Sequence, residues 1–470
     1  MSDSTSLYAP REPIFPKRVS GTFRRMKWVI MIITLGIYYI TPWIRWDRGP
    51  DLPDQAVLVD LAGRRFFFFW IEIWPHEFYF VAGLLIMAGL GLFLVTSALG
   101  RAWCGYACPQ TVWTDLFVLV ERWIEGDRNA RVKLHHANWS LRKLRLRAAK
   151  WTFWLAIALA TGGAWVFYFT DAPTLLMDFV TMQAHPVAYT TVAILTLTTF
   201  FFGGFAREQI CIYACPWPRI QAAMMDAETL TVGYRDWRGE PRGKKRDPNA
   251  GDCIDCMACV NVCPMGIDIR DGQQMECITC ALCIDACDDI MGKLGRDRGL
   301  IDYLALSDEQ QEREGAKPRA IWKHILRPRT VLYTGLWSLI GVALVFALFI
   351  RSDLEITSSA IRNPIYVLQS DGSVRNIYDL RIKNKLGEER EFRLSLSSDR
   401  ILRLDVEGAT DLQHVNVPAN STLVQRVYVT ARPQDEAATT DVTNLRFWVE
   451  DVISLDRASS RTTTFHGREQ

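Results

Sequence analysis

The chain has 470 residues, 49% of them hydrophobic and including 17 Trp and 23 Phe, which implies several domains, some of them not in water. A net charge of +2 says little about partners, and no nucleic-acid partner is expected. The decisive composition is local: long apolar stretches and twelve clustered cysteines.

A membrane span needs about 20 apolar residues. Five segments approach that length: Trp28–Trp43, Phe78–Leu99, Trp151–Phe169, Val187–Phe205 and Val331–Ile350. None has Asp, Glu, Lys or Arg at its centre, so a proton or ion path through the bilayer is not indicated. Lys17, Arg18, Arg24, Arg25 and Lys27 precede the first segment, and Arg131, Lys133, Arg142, Lys143, Arg145, Arg147 and Lys150 separate the second from the third. The positive-inside tendency makes those sides cytoplasmic. The connection from Thr170 to Pro186 carries no Lys or Arg, whereas Arg45, Arg48, Arg64 and Arg65 run against the rule in the first exported loop. The N-terminus lacks the plan of a cleavable signal peptide, so the first span is expected to remain as an anchor in the lipid of a bacterial inner membrane.

The second and fourth segments share a weak repeat. His76 or His185 lies near the start of each, and C-x-x-x-C-P follows the inner end: Cys104-Gly105-Tyr106-Ala107-Cys108-Pro109 and Cys211-Ile212-Tyr213-Ala214-Cys215-Pro216. Cysteines at i and i+4 face one side of a helical turn, so Cys104, Cys108, Cys211 and Cys215 can converge at the inner surface. Such a set suits Cu(I), zinc or an iron-sulfur cluster, or thiol-disulfide cycling. Packing as small apolar residues is the plain alternative, and it extends to Met224 and Met225 nearby. None of the seven histidines is centred in a span, so paired-histidine haem is not indicated. His76 and His185 could meet on the outer side as a quinol or metal contact, with ordinary hydrogen-bonded histidines as the simpler account.

From Met224 to Asp252 the chain reads as a polar linker with Arg235, Arg238, Arg242, Lys244, Lys245 and Arg246. Then come two runs of C-x2-C-x2-C-x3-C, the two-cluster bacterial ferredoxin pattern. Because the fourth cysteine of each run serves the other cluster, Cys253, Cys256, Cys259 and Cys287 are assigned to one 4Fe-4S cube. Cys277, Cys280, Cys283 and Cys263 are assigned to the second. Zinc knuckles and a disulfide framework fit less well, since zinc sites usually separate their cysteine pairs by a longer spacer. Pro264 fits the pattern, and Asp288 after Cys287 departs from it. Cluster thiolates need a reducing compartment, and all twelve cysteines fall on or near the expected inner side.

Ser307 to Lys317 is helix-compatible, and Lys323, Arg327 and Arg329 mark the inner end of the last span. Beyond about Ile361, period-two segments such as Ile377–Lys383, Glu391–Leu396, Leu423–Thr430 and Leu445–Glu450 indicate an antiparallel β-sandwich of immunoglobulin type, outside the membrane. The expected organisation is a cytoplasmic segment (1–27), a four-span region (28–223), a cytoplasmic ferredoxin-like domain (224–330), a fifth span (331–350) and a periplasmic sandwich (351–470). The fold class is thus a multi-domain membrane protein, an α-helical bundle with a two-cluster insert and a terminal β-sandwich.

This order resembles the cytochrome c oxidase accessory family called CcoG, also known as FixG or RdxA. The resemblance covers nearly the whole chain and includes Gln55-Ala56-Val57-Leu58-Val59-Asp60, Arg64-Arg65-Phe66, the stretch from Trp103 to Trp113 and both cluster runs. It implies a cupric reductase that supplies Cu(I) during assembly of the cbb-type oxidase, with that oxidase or its copper-delivery proteins as partners and a soluble electron donor. Cys104, Cys108, Cys211 and Cys215 are then candidates for binding copper. Membrane ferredoxins of the NapH and NosR types, on quinol or flavin routes, are the leading rival. A non-catalytic assembly scaffold is a third reading, and a homodimer stays open.

Overall fold

The computed structural model describes residues 13–49, 52–244, 248–351, 354–386, 388–408, 413–454 and 458–468, the side chain of His76 excepted. The first twelve residues, the linker cations Lys245 and Arg246 and the contact expected of His76 therefore lie outside the described residues. The chain forms two compact units, Met1–Trp46 with Gln55–Leu344, and Asp47–Asp54 with Val345–Gln470.

The longer helices are α1 (Thr22–Ile40), α2 (Tyr79–Leu99), α3 (Pro109–Glu125), α4 (Leu141–Val166), α5 (Pro186–Phe201) and α6 (Leu282–Leu294) in the first unit, and α7 (Pro328–Ile350), which runs across its boundary. Among the described residues four stretches are long and apolar enough to cross a membrane, Thr22–Trp43, Tyr79–Leu99, Pro186–Ala206 and Pro328–Ile350. The expected third span, Trp151–Phe169, is not among these four. It forms the apolar end of α4, whose first turns carry Arg142, Lys143, Arg145, Arg147 and Lys150, so charged and apolar residues are segregated end to end along the helix. Its apolar end is nevertheless set in the bundle. Tyr38 on α1 donates to the Thr161 carbonyl (2.7 Å), Trp113 on α3 donates to Thr161 Oγ1 (2.8 Å), and a Cβ on Gly162 would stand 2.9 Å from the Val192 carbonyl of α5. Small residues allow such close backbone approach between membrane helices.

A buried charge cluster ties the basic half of α4 to α3. Glu121 pairs with Arg131 (2.6 Å), Arg207 (2.6 Å) and Lys150 (3.5 Å). Burial alone would raise its carboxyl, but Arg207, Lys150 and Arg131 together hold it down at about 2.

The polar stretch expected as a linker is built into the cluster domain. Its strand Thr231–Tyr234 pairs antiparallel with Ile301–Leu304, with Val232, Tyr234 and Ile301 in the core under the cluster loops. The junction with the membrane helices is made by Asp285 on α6. Its carboxylate accepts from the backbone N–H groups of Phe23 (3.2 Å) and Arg24 (2.7 Å), capping α1 from another domain where α1 has no side-chain cap of its own. Gly21 makes room, since a Cβ there would lie 2.2 Å from Asp285 Cγ.

The second unit is the expected sandwich. One sheet runs in the order Arg403–Val406, Ser421–Ala431, Val374–Asn384, Leu354–Ala360, with Val367–Leu368 also paired to Val374–Asn384. The other runs His414–Val417, Arg390–Ser398, Val442–Asp451, Ala458–His466. All pairings are antiparallel, and Leu380, Ile382, Val427, Phe392, Phe447 and Phe465 fill the space between the sheets. The alternation of buried and exposed residues along Val374–Asn384 is the periodicity visible in the sequence.

Replacing Asp285 by Ala should cost about 1–2 kcal/mol through the lost cap. Gly21→Ala should cost more because it forces the carboxylate away, and both should lower the midpoint of thermal unfolding followed by cluster absorbance. Glu121→Gln should cost about 3–5 kcal/mol, because it leaves buried cations without their anion. Since the Glu121 carboxyl is depressed from 4.5 to about 2, its stabilisation is complete above pH 4.5 and is lost as pH falls through 2. Acid unfolding of the wild type should steepen in that window and flatten in the variant.

Candidate functional site

The two cysteine runs fold into the same loop. In the first, Asp255 and Met257 take left-handed backbone angles (φ 57° each), and in the second Thr279 (φ 54°) and Ala281 (φ 59°) do so at the matching positions. Each such residue costs about 1–3 kcal/mol unless its surroundings demand it. Left-handed residues alternating with ordinary ones turn successive N–H groups to one side, a concavity that attracts anions and recurs at iron-sulfur sites. The Thr279 N–H points to Cys277 Sγ (3.4 Å), and the N–H groups of Met265 and Ile267 serve Cys263. Backbone donors to sulfur suit an anionic, thiolate-held cube.

The short helix Ala258–Val262 follows the first loop and α6 follows the second, and they pack against each other. That packing crosses the fourth cysteines. Burial and the neighbouring Cys259, with Cys256 and Cys253, push the Cys287 thiol up to about 12. Burial and Cys280, with Cys277, push Cys263 up to about 12. The Cys283 thiol is raised well above its ordinary value by burial, with Cys280, Cys277 and Cys263 around it. Cys263, Cys277, Cys280 and Cys283 share the wall of one apolar cavity with Ile267, Ile278 and Leu282. Thiols held protonated in this way release their protons when a soft metal centre binds. Asp288 does not loosen the turn after Cys287: α6 continues to Leu294, and the Asp288 carboxylate accepts from the Gly299 N–H (2.9 Å).

The two C-x-x-x-C-P motifs also share one design. In each, a single helical turn carries the first cysteine, the second cysteine precedes the proline, and the proline opens the next helix, α3 in one case and Trp217–Met224 in the other. Their four cysteines converge: Cys211 is pushed up to about 12 by burial and by Cys108, Cys104 and Cys215. Cys104 is raised by burial against the opposing pull of Arg101, and its Sγ donates to Gln221 Oε1 (3.1 Å). Among the described residues no group of three His, Cys, Asp or Glu stands at single-ion spacing, and this holds for the cluster cysteines as much as for these four. Met225 packs against Gly100. His185 caps its own helix, accepting from the Val187 N–H (3.3 Å).

The two cysteine systems meet in one apolar core. Cys104 is buried with Val262, Ile278, Cys280 and Leu282, and Cys211, Cys263 and Cys283 pack against the same cluster. A Cβ on Gly105 would lie 2.6 Å from the Ile278 carbonyl and 2.9 Å from Cys280 Cα, so the first motif rests directly on the second cluster loop. Tyr106 donates to the Cys280 carbonyl (3.1 Å), Tyr303 donates to the Thr279 carbonyl (3.2 Å), and Arg101 hydrogen-bonds the Met275 carbonyl. Sequence reasoning passes over Gly105, Tyr106, Arg101 and Asp285, although three of them lie within or beside the first motif and the last lies between Cys283 and Cys287.

Apolar helices, two ferredoxin loops and a terminal sandwich define an iron-sulfur electron-transfer protein associated with the membrane. A 4Fe-4S dicluster domain matches residues 206–306, a 4Fe-4S binding domain matches 80–128, and the IG-like fold at the C-terminal of FixG matches 344–468. Protein RdxB of Cereibacter sphaeroides is 67% identical over 472 residues, covering 99% of this chain and 98% of its own. Protein RdxA of the same organism is 63% identical (95% of each chain), and the nitrogen fixation protein FixG of Rhizobium meliloti is 57% identical (86% of this chain, 82% of its own). The chain belongs to the FixG/RdxA family. The match over 80–128 includes Cys104 and Cys108, so the first C-x-x-x-C-P lies within a segment related to cluster-binding modules.

Gly105→Ala should displace the second cluster loop, and iron should fall from about eight toward about four atoms per chain by iron and sulfide quantification. Undiminished iron would show that the loop can yield.

Proposed function

We propose that the protein passes single electrons from a cytoplasmic donor to a metal ion held by Cys104, Cys108, Cys211 and Cys215, reducing Cu(II) to Cu(I) for assembly of a cbb-type oxidase. Cys253, Cys256, Cys259 and Cys287 hold one cube, and Cys277, Cys280, Cys283 and Cys263 hold the other. When bound there, each cube supplies one-electron chemistry, and one electron per copper ion balances the reduction. The observation that carries this reading is the shared core of Cys104 and Cys280, with Gly105 against the Cys280 backbone. Soft thiolates favour Cu(I) over Cu(II), so a four-cysteine set retains the product oxidation state.

The basic residues before α1 and along the first half of α4 support an orientation with the cluster domain in the cytoplasm and the sandwich in the periplasm of a bacterial inner membrane. In that orientation the sandwich is available to the oxidase or to its copper-delivery proteins.

Purified, anaerobically reduced protein should form Cu(I) from added Cu(II), detected with a Cu(I)-specific chelator. Serine at all four positions should slow this by tenfold or more, about 1.4 kcal/mol or greater in barrier, while cluster iron stays constant. An unchanged rate would remove these cysteines from the site.

A further inference from the structure

A cavity of about 650 Å³ opens at the boundary between the membrane helices and the cluster domain. Its volume is that of a small-molecule site. Phe23, Met26 and Ile30 on α1 and Val95 and Leu99 on the last turn of α2 form an apolar side, with Met26 41% exposed at the mouth. Trp103 and Tyr106 of the first C-x-x-x-C-P motif, together with Tyr303, form the wall toward the second cluster loop, where both tyrosines donate to loop carbonyls.

The remaining end is polar, with its two arginines outnumbered by carboxylates. Arg235 pairs with Glu312 (2.7 Å) and Asp302 (3.3 Å), and Arg319 pairs with Asp308 and Glu228. His324, buried at this end, is bracketed by Glu228 (2.9 Å) and Asp308 (3.0 Å). A phospholipid headgroup would bring a phosphate to guanidinium groups that already have carboxylate partners. An uncharged, polar ring on an apolar tail matches the cleft better.

We propose that this cleft binds a lipid-soluble quinone, its tail between α1 and α2 and its ring near Tyr106, Tyr303 and His324, and that the bound ring exchanges electrons with the cluster domain. The proposal rests on the reading of that domain as an electron carrier and adds a membrane-borne donor to the cytoplasmic one. Oxidation of one quinol breaks two O–H bonds and yields the quinone, two protons and two electrons. The electrons match two one-electron centres, and the protons leave by His324 and the partly exposed Glu228.

The test uses the full chain in lipid nanodiscs and a photoreactive azidoquinone, with labelled peptides identified by mass spectrometry. Label is expected on peptides carrying Trp103, Tyr106 or Tyr303, and decylubiquinone should compete it away. Met26→Trp or Ile321→Trp, each filling the mouth from an exposed position, should cut it about tenfold. Ile33→Trp, exposed on α1 outside the cleft, should not. Label elsewhere, label that decylubiquinone cannot displace, or label displaced equally by phosphatidylglycerol overturns the site. Decylubiquinol should also change the cluster absorbance anaerobically. Competed label with no such change, in protein whose clusters respond to dithionite, overturns electron exchange while leaving the cubes as carriers. Competed label in protein that proves iron-free keeps the site and overturns the electron-carrier reading itself.

Discussion

A carboxylate on a cluster-bearing helix caps the first membrane helix, and much of the molecule's arrangement follows from that contact. Asp285 lies between Cys283 and Cys287, so the residue that satisfies the free N–H groups of Phe23 and Arg24 is fixed in register with two cysteines of the cluster domain. Helix N-terminal donors buried without partners are costly, and their partial positive charge favours an anion. The cluster domain is therefore held to the membrane region through a backbone interaction that tolerates little displacement, with Gly21 providing the clearance.

The same register brings Gly105 and Tyr106 onto the second cluster loop, placing Cys104 in one apolar core with Cys280. An apolar junction is a suitable setting for moving single electrons, because few polar groups have to reorient. Charges are gathered nearby and paired in groups, around Glu121 with three cations and around Asp115 with Arg24 and Lys27. Buried ions persist only when paired, and these groups lock α1, α3 and α4 beside the site.

Local chemistry is legible in the residues themselves. The cysteine spacings, the apolar stretches and the alternation in Val374–Asn384 each depend on residues close together in the chain, and the ferredoxin loops and sandwich follow them. Trp151–Phe169 reads as a third span because it is apolar when taken alone, whereas the helix starts at Leu141 and includes five cations. The stretch before the clusters reads as a linker because its charges outnumber its few apolar residues. Val232 and Tyr234 become core only when Ile301–Leu304 pairs with them from far along the chain.

By itself, the sequence determined the types of chemistry present: thiolates at cluster spacing, repeated C-x-x-x-C-P turns, membrane-length helices and an alternating β domain. Spacing is a property of neighbours, and these signals need no distant partner to be read. The repeat lets the cysteines of the two C-x-x-x-C-P motifs converge, but tertiary structure alone decided that they share a core with the second cluster loop and that a cleft opens between α1, α2 and the cluster domain. Those relations depend on long-range contacts, on a glycine with no room for a methyl group and a carboxylate reaching another domain's helix, and nothing in the local pattern specifies them.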